Sequence, residues 1–239
     1  MRSIAELAIP GGWTECDVMV GPCAFRLLTP ADPDQFLDHL AEPLDPGRPH
    51  LADPYWAKLW PAAGFLAEAV LRNSPPLAPS AEPLAPLHCL ELGCGSGLVG
   101  LAALAAGWQV TFSDYVPQAV ELALENAARN GLAGAGGLVL DWRQPSNEKY
   151  PFILAADVTY DRTNLAPLLD TLDRMLAPAG EAWFGDAGRG PVDEFLRLAR
   201  NRGWSVSLYD EHDRPANEAT LGRCQRIVVR RRVVSGCEQ

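Results

Sequence analysis

Basic residues are scarce in this chain of 239 residues. Its 20 lysines and arginines are outnumbered by 30 aspartates and glutamates, which gives a formal net charge of −10 and an isoelectric point near 4.8. Proteins that bind nucleic acid usually present a basic face to the phosphate backbone. The charge balance therefore argues against nucleic acid as a partner, and a cationic substrate is the more natural guest.

Long apolar runs are absent as well. No stretch of the sequence approaches the ~20 apolar residues that a membrane-spanning helix needs. The first residues also lack the charged, apolar and small-residue segments of a secretory signal. We therefore expect no membrane association and a cytoplasmic protein.

Cysteine and histidine are few and scattered. The six cysteines, at positions 16, 23, 89, 94, 224 and 237, form no C-x-x-C pair, and the four histidines form no cluster. This pattern fits neither a secreted disulfide scaffold nor a zinc site. We expect free thiols, no metal and no covalent catalysis.

Short apolar runs alternate with amphipathic stretches from Pro61 onward, a pattern typical of βαβ units. Five strands are predicted at residues 87–92, 109–113, 137–140, 152–156 and 181–185, followed by an antiparallel pair at 204–209 and 225–234. Prolines at 61, 117 and 191 mark helix starts. The sequence predicts an α/β fold: a Rossmann-like, seven-stranded, mainly parallel sheet with a terminal antiparallel strand pair and helices on both faces.

Two regions flank or interrupt this pattern. Residues 1–52 form a predicted N-terminal extension, with a β-hairpin at 14–20 and 24–29 and a short helix near 34–40, which we expect to cover the substrate side of the main domain, residues 53–239. The proline-rich segment 74–86 is predicted to be a surface loop. The basic residues Arg223, Arg226 and 230–232 are expected at exposed strand positions or at a charged sheet edge.

A glycine-rich turn follows the first predicted strand of the main domain. Residues 90–97 read LELGCGSG, and Gly93, Gly95 and Gly97 let the backbone approach a ligand and adopt positive φ. The helix predicted after them, at 98–106, presents its free N–H groups to the same place. Asp114 lies about 20 residues after the first glycine, at the spacing of a ribose-binding carboxylate. The pattern predicts a nucleotide-type cofactor site.

Spacing alone leaves the cofactor open. Residues 95–100 also satisfy the dinucleotide pattern G-x-G-x-x-G. Glu91, two residues before the first glycine, would repel a pyrophosphate but suits a cation, and S-adenosylmethionine carries an ammonium and a sulfonium. We therefore favour S-adenosylmethionine, with a nicotinamide or flavin dinucleotide and a purely structural turn as alternatives. Cys94 is interpreted as a small side chain that fills the turn rather than as a nucleophile.

Three further motifs carry a family resemblance. The fourth predicted strand ends in D-x-x-Y at Asp157 and Tyr160, residues 53–61 read DPYWAKLWP, and residues 185–189 read GDAGR. Together with the glycine loop, they resemble the class I, seven-β-strand S-adenosylmethionine-dependent methyltransferases. The resemblance is closest to the protein-lysine methyltransferases that include the electron-transfer-flavoprotein β-subunit lysine methyltransferases, and it covers roughly residues 53–234.

The chain departs from that group at two places. Ala187 stands where the group has proline, and Ala62 and Ala63 stand where it has two glycines. These differences weaken the inference about the particular substrate more than the inference of methyl transfer.

The resemblance implies a set of site residues. It assigns to the cofactor Trp60, Glu91, Gly93, Cys94, Gly95, Gly97, Asp114, Tyr115, Asp141, Trp142 and Ala156. It assigns catalysis to Asp157 and Tyr160, and substrate binding to these two with Trp56, Asp186 and Arg189. Structural alternatives remain open: a loop cap for Asp157, a buried ring for Tyr160, packing for Trp60 and Trp142, and a bracing ion pair for Arg189.

The implied reaction is attack of a neutral amine on the sulfonium methyl, with S-adenosylhomocysteine as the product. A lysine with a pKa of about 10.4 is rarely neutral at pH 7, and a lone carboxylate would favour its charged form. Asp157 is therefore expected to capture and aim the incoming ammonium, with cation–π contact from Tyr160 and from Trp56 or Trp60. The sulfonium and desolvation would then lower the pKa of the amine.

The function predicted from the sequence is N-methylation of an amine, with a protein lysine as the leading acceptor. Two alternatives stay open: a small-molecule amine methyltransferase of the nicotinamide N-methyltransferase type, and a catalytically silent cofactor-binding module. The expected partner is a protein with an accessible lysine, or a small amine, and the expected state is a monomer or weak dimer.

Overall fold

A computed structural model describes residues 4–9, 11–35, 54–74 and 87–232. Several predicted features lie wholly or partly outside these residues: the helix near 34–40 beyond Gln35, the proline-rich segment after Ser74, and the last two residues of the strand at 225–234.

The described strands begin with a hairpin, β1 (Trp13–Val20) and β2 (Cys23–Pro30), which pair in antiparallel register. The strands of the main sheet are β3 (His88–Leu92), β4 (Gln109–Asp114), β5 (Ala135–Val139), β6 (Tyr150–Ala156), β7 (Leu176–Asp186), β8 (Trp204–Tyr209), β9 (Pro215–Ala216) and β10 (Gln225–Arg231). The helices are α1 (Pro61–Asn73), α2 (Leu98–Ala105), α3 (Pro117–Arg129), α4 (Arg162–Met175) and α5 (Val192–Asn201), with 3₁₀ turns at Ile4–Glu6 and Pro54–Ala57.

The main sheet has the order β5-β4-β3-β6-β7-β10-β8-β9 among the described residues. Strands β3 to β7 all run parallel to one another, whereas β10 lies between β7 and β8 and is antiparallel to both. This confirms the mainly parallel sheet with a terminal antiparallel pair, to which the two-residue β9 adds an eighth strand. The strand order reverses between β3 and β6, and open α/β sheets bind ligands at such a point, beyond the carboxyl ends of the strands.

Helices cover both faces of the sheet, as predicted. Alternating residues of β6 point to opposite sides, so that Leu154 joins one apolar core and Ile153 joins the other. The first core includes Leu66 of α1, and the second includes Leu165 of α4 and Phe195 of α5. The sheet is therefore sealed on both sides, and ligand access is left to its edge at the strand ends.

Strand β7 begins five residues earlier than predicted. Residues 177–180 read APAG and suggest a loop, yet Tyr150 pairs with Leu176 before the register shifts to Phe152 opposite Glu181. The extra residues are accommodated as an irregularity in the ladder, which turn-forming composition alone does not reveal.

The N-terminal hairpin docks on α3 through two asparagines. The Leu28 amide donates to Oδ1 of Asn126 (2.7 Å), and the Arg26 amide donates to Oδ1 of Asn130 (2.9 Å). Phe25 and Leu27 are buried in the core beside α1. The free edge of β2 is thus capped by side-chain amides instead of another strand.

The prediction that Arg226 lies at an exposed edge is wrong. Strand β10 is interior, and the Arg226 guanidinium lies between the rings of Trp183 and Tyr209, 4.6 and 4.2 Å from their centroids. Its Nη2 donates to Oδ1 of Asp213 at 2.6 Å. The charge is buried because aromatic faces and a carboxylate replace the lost water.

Replacing Arg226 by alanine should destabilise the fold by about 3 kcal/mol, because it leaves the Asp213 carboxylate without its buried partner. Urea unfolding measures this loss. The control is Arg230→Ala, which breaks a half-exposed pair with Glu181 and should cost less than about 1 kcal/mol. Equal losses in the two variants would contradict the buried-pair interpretation.

Candidate active site

A cleft opens at the carboxyl ends of β3, β4 and β6, the edge at which open α/β sheets bind ligands. Its walls are formed by Tyr55, Trp56, Lys58, Leu59, Trp60, Ala63, Glu91, Gly93, Cys94, Gly95, Ser96, Leu98, Asp114, Tyr115, Trp142, Ala156, Asp157, Val158 and Tyr160. Most residues assigned to the site from the sequence thus meet in one place.

Residues 93–96 of the glycine loop form the floor of this cleft, whereas Gly97 is not among the lining residues and precedes α2. Gly93, Gly95 and Gly97 have φ of +62°, +50° and +83°, in the left-handed region that favours glycine. A Cβ on Gly95 would lie 2.9 Å from the carbonyl oxygen of Trp56, so this position also requires glycine for close packing. Cys94 is buried, and burial raises the pKa of its thiol well above the usual value. Because the thiolate is the nucleophilic form, the raised pKa disfavours a nucleophilic role, and the interpretation of Cys94 as a filler of the turn stays a prediction.

Asp114 joins the loop to the end of β4. The Val116 amide donates to its Oδ1 (3.0 Å) and the Gly95 amide to its Oδ2 (3.3 Å). The carboxylate is buried yet lines the cleft beside Tyr115. These contacts hold an acidic group in the cleft wall, and its role toward a ribose stays a prediction.

Glu91 lies in the cleft wall, and its carboxyl group is hydrogen-bonded to the backbone of helix α2. Its Oε2 accepts the Gly100 amide at 3.0 Å, and burial raises the pKa of its carboxyl to about 8, with a further upward contribution from Asp114. The group is thus mainly protonated at neutral pH. Burial therefore opposes the negative charge expected for Glu91 from the sequence.

A pH experiment tests the state of Glu91. Because its folded pKa lies above the unfolded one, its contribution to stability is present in acid and is lost as the pH rises from about 4.5 to about 8. Glu91→Gln keeps an acceptor for the Gly100 amide and removes the titration. Melting temperatures should therefore fall less for the variant than for wild type between pH 5 and pH 9. Parallel curves would contradict the raised pKa.

Trp142 lines the cleft, whereas its neighbour Asp141 is not among the lining residues. The Trp142 ring lies over Gly93, where an added Cβ would meet it at 3.2 Å. The Asp141 Oδ1 accepts the Arg143 amide at 2.9 Å and lies 3.6 Å from its guanidinium. A role of Asp141 at the adenine stays a prediction, and its observed contacts organise the turn after β5.

A second cavity, of about 450 Å³, adjoins the cleft; we call it the outer cavity. It is lined by Tyr55, Trp60, Asp157, Tyr160 and Arg189, and the first four of these also line the cleft. Asp157 and Tyr160 therefore lie where the two spaces meet.

Asp157 ends β6 in a strained conformation. Its φ is +53°, which is uncommon for a residue with a side chain and is often found at functional sites. Its Oδ2 accepts the Ala62 amide at the start of α1 (2.9 Å), and its Oδ1 lies 3.4 Å from Nε of Arg189. Burial raises the pKa of the carboxyl, while the Ala62 amide and Arg189 lower it. The residue caps α1 and faces the outer cavity at once.

Three aromatic rings surround the outer cavity. Tyr55 packs edge-on against Trp60 and Tyr160, at centroid distances of 5.7 and 5.9 Å. The Tyr160 side chain is exposed, so the alternative of a buried ring does not describe it. Arg189 lies over Trp60, with its guanidinium carbon 5.0 Å from the ring centroid. Rings in this arrangement can hold a cation or the apolar stem of a long amine.

Asp186 lies beneath the site instead of in its wall. The side chain is fully buried, its Oδ2 accepts the Thr159 hydroxyl, and its Oδ1 accepts the amides of Gly188 (2.7 Å) and Arg189 (3.1 Å). The expectation of direct substrate contact does not match this position, because all of its observed contacts are internal. Asp186 holds the loop that carries Arg189.

The cover of the cleft comes from residues 54–60. No residue of the described ranges 4–9 and 11–35 lines the cleft or the outer cavity, and the hairpin packs against α1 and α3. The described part of the extension contributes no lining residue, and its role as a cover of the substrate side stays a prediction. Tyr55, which lines both spaces, was not assigned from the sequence, although it stands in the DPYWAKLWP segment.

The described residues contain neither a helix suited to span a membrane nor a cluster suited to hold a metal ion. No helix in this part of the chain is long and apolar enough to cross a membrane. No group of three or more histidine, cysteine or acidic side chains in the described ranges could hold a metal ion.

The cleft lies in a fold that solved methyltransferases share. Solved structures share this fold: the N-methyltransferase NodS from Bradyrhizobium japonicum in complex with S-adenosylhomocysteine (TM-score 0.55, 19 % identity, 82 % of this chain and 97 % of that chain), and a TehB-like S-adenosylmethionine-dependent methyltransferase from Corynebacterium glutamicum (TM-score 0.55, 21 % identity, 70 % and 88 %).

A family model described as lysine methyltransferase matches residues 53–189, more than half of the chain. The protein belongs to this family. The match confirms the methyltransferase family and the S-adenosylmethionine cofactor that the sequence predicted.

Curated relatives carry the name ribosomal protein L11 methyltransferase. The protein from Xanthomonas campestris is 33 % identical over 125 residues, and that from Aeromonas salmonicida is 38 % identical over 81 residues. These matches cover 52 % and 34 % of this chain but only 39 % and 28 % of the relatives. The similarity is thus confined to part of those proteins.

Proposed function

We propose that this protein transfers a methyl group from S-adenosylmethionine to the side-chain amine of a lysine in a protein. The observation that carries the proposal is the junction of the two spaces at Asp157 and Tyr160. The glycine-floored cleft is suited to the cofactor, and the aromatic outer cavity is suited to the stem and amine of a lysine. Membership in the lysine methyltransferase family and the curated relatives named for a ribosomal protein support a protein acceptor.

The cofactor end is built from residues with distinct tasks. Gly93, Gly95 and the start of α2 let the backbone approach the ligand, Asp114 accepts hydrogen bonds from ribose hydroxyls, and Tyr115 and Trp142 enclose the adenine. When bound, S-adenosylmethionine supplies an electrophilic methyl group on a positively charged sulfur. The acidic and aromatic side chains of the cleft wall are suited to this positively charged cofactor.

The acceptor end orients the amine. The rings of Tyr55, Trp60 and Tyr160 hold the apolar stem of the lysine and exclude water. The Asp157 carboxylate accepts an N–H of the amine, which aims the nitrogen lone pair along the cavity axis toward the cleft. Alignment of this kind can contribute about 7 to 11 kcal/mol in favourable cases, and we assign most of the rate enhancement to it.

Incubation with methyl-labelled S-adenosylmethionine tests the acceptor class. A panel of purified proteins and a panel of small amines, nicotinamide included, are offered in parallel. The proposal expects protein-bound label that depends on Asp157. Turnover on a small amine with no protein-bound label would overturn the lysine assignment and favour the small-molecule alternative.

A cytoplasmic location and a monomeric or weakly dimeric state stay predictions from the sequence. Size-exclusion chromatography with light scattering measures the second, and we expect the mass of one chain at micromolar concentration.

A further inference from the structure

Arg189 already occupies the place in which an incoming ammonium would make its best contacts. Its Nε lies 3.4 Å from Oδ1 of Asp157, and its guanidinium carbon lies 5.0 Å from the centroid of Trp60. The Asp157 carboxylate and the Trp60 ring are both groups that stabilise a cation. One fixed positive charge therefore satisfies both of them before any substrate binds.

The position of Arg189 is fixed by the hydrogen bonds of its loop with buried Asp186. Its backbone amide donates to Oδ1 of Asp186, which is fully buried and also accepts the amide of Gly188 and the side-chain amide of Gln225. Gly188 has a φ of +71°, and its carbonyl accepts the Gly222 amide. The loop is thus tied to both β7 and the segment before β10, which keeps the guanidinium in the cavity wall.

Methyl transfer places opposite demands on this cavity. A free carboxylate attracts lysine but holds it as an ammonium, which has no lone pair for attack. A carboxylate that is already paired with a guanidinium still accepts a hydrogen bond, yet it gives little stabilisation to a second positive charge.

We infer that Arg189 is a positioning residue that neutralises Asp157 and thereby makes the outer cavity select the acceptor as the neutral amine. The inference rests on the proposed amine acceptor. In this role, the lysine leaves its proton in solvent on entering, and its nitrogen then binds Asp157 as a hydrogen-bond donor. The charge balance of the cavity wall thus selects the neutral form of the lysine amine, which is the form that can react.

The other charged and titratable groups around the cavity do not supply this balance. Lys58 lies over Trp60 at 5.5 Å but pairs with Asp34, and Asp186 contributes a buried negative charge behind Asp157. Burial raises the pKa of the nearby Cys224 thiol, and Asp157 and Asp186 raise it further. The hydroxyls of Tyr55 and Tyr160 complete the titratable groups of the wall. Without Arg189, the remaining groups make the cavity negative.

Binding of a simple cation tests the inference without turnover. The protein is saturated with S-adenosylhomocysteine, and the affinities of n-butylammonium and of uncharged 1-butanol are measured by NMR titration at pH 7. Arg189→Gln should raise the ratio of cation to alcohol affinity about tenfold, the equivalent of one pKa unit. Arg189→Lys should keep the wild-type ratio, and so should the control Arg230→Gln, whose pair with Glu181 lies at the middle of β7, five residues before Asp186.

The pH dependence of turnover gives a second readout. With any accepted amine, Arg189→Gln should move the acid limb of kcat, which reports the bound complex, about one unit toward higher pH, whereas a loop-bracing role would lower the rate equally at every pH. An unchanged affinity ratio or an unshifted acid limb would overturn the inference. If wild type transfers no methyl group to lysine but the ratio still rises in Arg189→Gln, the proposed acceptor fails and the charge balance stands.

Discussion

The variant Asp157→Asn is expected to lose about a hundredfold or more in turnover while binding S-adenosylhomocysteine as wild type does. The asparagine oxygen can still accept the Ala62 amide, so that α1 keeps its cap. The uncharged side chain no longer holds Arg189 or aims the amine, and small losses of alignment cost about that much in rate. Single-turnover rates at saturating cofactor, together with calorimetry, measure the two effects separately.

The matched control for this variant is Asp170→Asn. Asp170 pairs with Arg202 at 2.6 Å on the exposed side of α4, so its replacement removes a carboxylate remote from the cleft. Its turnover should stay within about twofold of wild type, as is typical of exposed ion pairs. Unaltered turnover in Asp157→Asn would refute the role given to the strand end.

The variant Asp114→Asn is expected to weaken S-adenosylhomocysteine binding about ten- to a hundredfold. The carboxylate accepts the amides of Val116 and Gly95 and lines the cleft, and loss of a charged acceptor costs roughly 1.5 to 3 kcal/mol. At saturating cofactor, the turnover should recover to within a few-fold of wild type. Calorimetric titration and rates at high cofactor concentration test the two statements.

The two variants together test the division of the site. Cofactor affinity should fall in Asp114→Asn alone, and turnover at saturation should fall in Asp157→Asn alone. An equal loss of cofactor affinity in both would mean that Asp157 belongs to the cofactor end.

The sheet and the location of the site were predictable because they depend on local patterns. The strands were recognised from short apolar runs, and parallel strands place their carboxyl ends at one edge. Gly93, Asp114 and Asp157 each follow such a run, so that their convergence could be expected before the fold was seen. The strand ends therefore carried most of the information about where the chemistry takes place.

Features that depend on contacts between distant segments were not predictable in this way. Glu91 looked like a charge in the cofactor site, but burial raises the pKa of its carboxyl to about 8, and its Oε2 accepts the Gly100 amide. Asp186 looked like a substrate ligand, but its oxygens accept hydrogen bonds from the neighbouring loop and from Gln225. Arg226 looked like an edge residue because the sequence does not reveal that β10 inserts between β7 and β8. In each case the partner comes from another element, and no spacing rule connects the two.

Tyr55 illustrates a partial failure of the same kind. Its segment was singled out for its tryptophans, and the tyrosine between Pro54 and Trp56 received no role. In the structure its ring touches both Trp60 and Tyr160 and closes the aromatic wall. The short 3₁₀ turn at Pro54–Ala57 sets this direction, and that turn has no strong periodic signal.

The most direct test of the account is the chemical identity of the methylated product. Protein acceptors labelled by the wild-type enzyme and by Asp157→Asn are hydrolysed, and the labelled amino acid is identified by mass spectrometry. The account predicts label in Nε-methylated lysine, reduced about a hundredfold with the variant. Label in any other residue, or equal labelling by the two proteins, would contradict it.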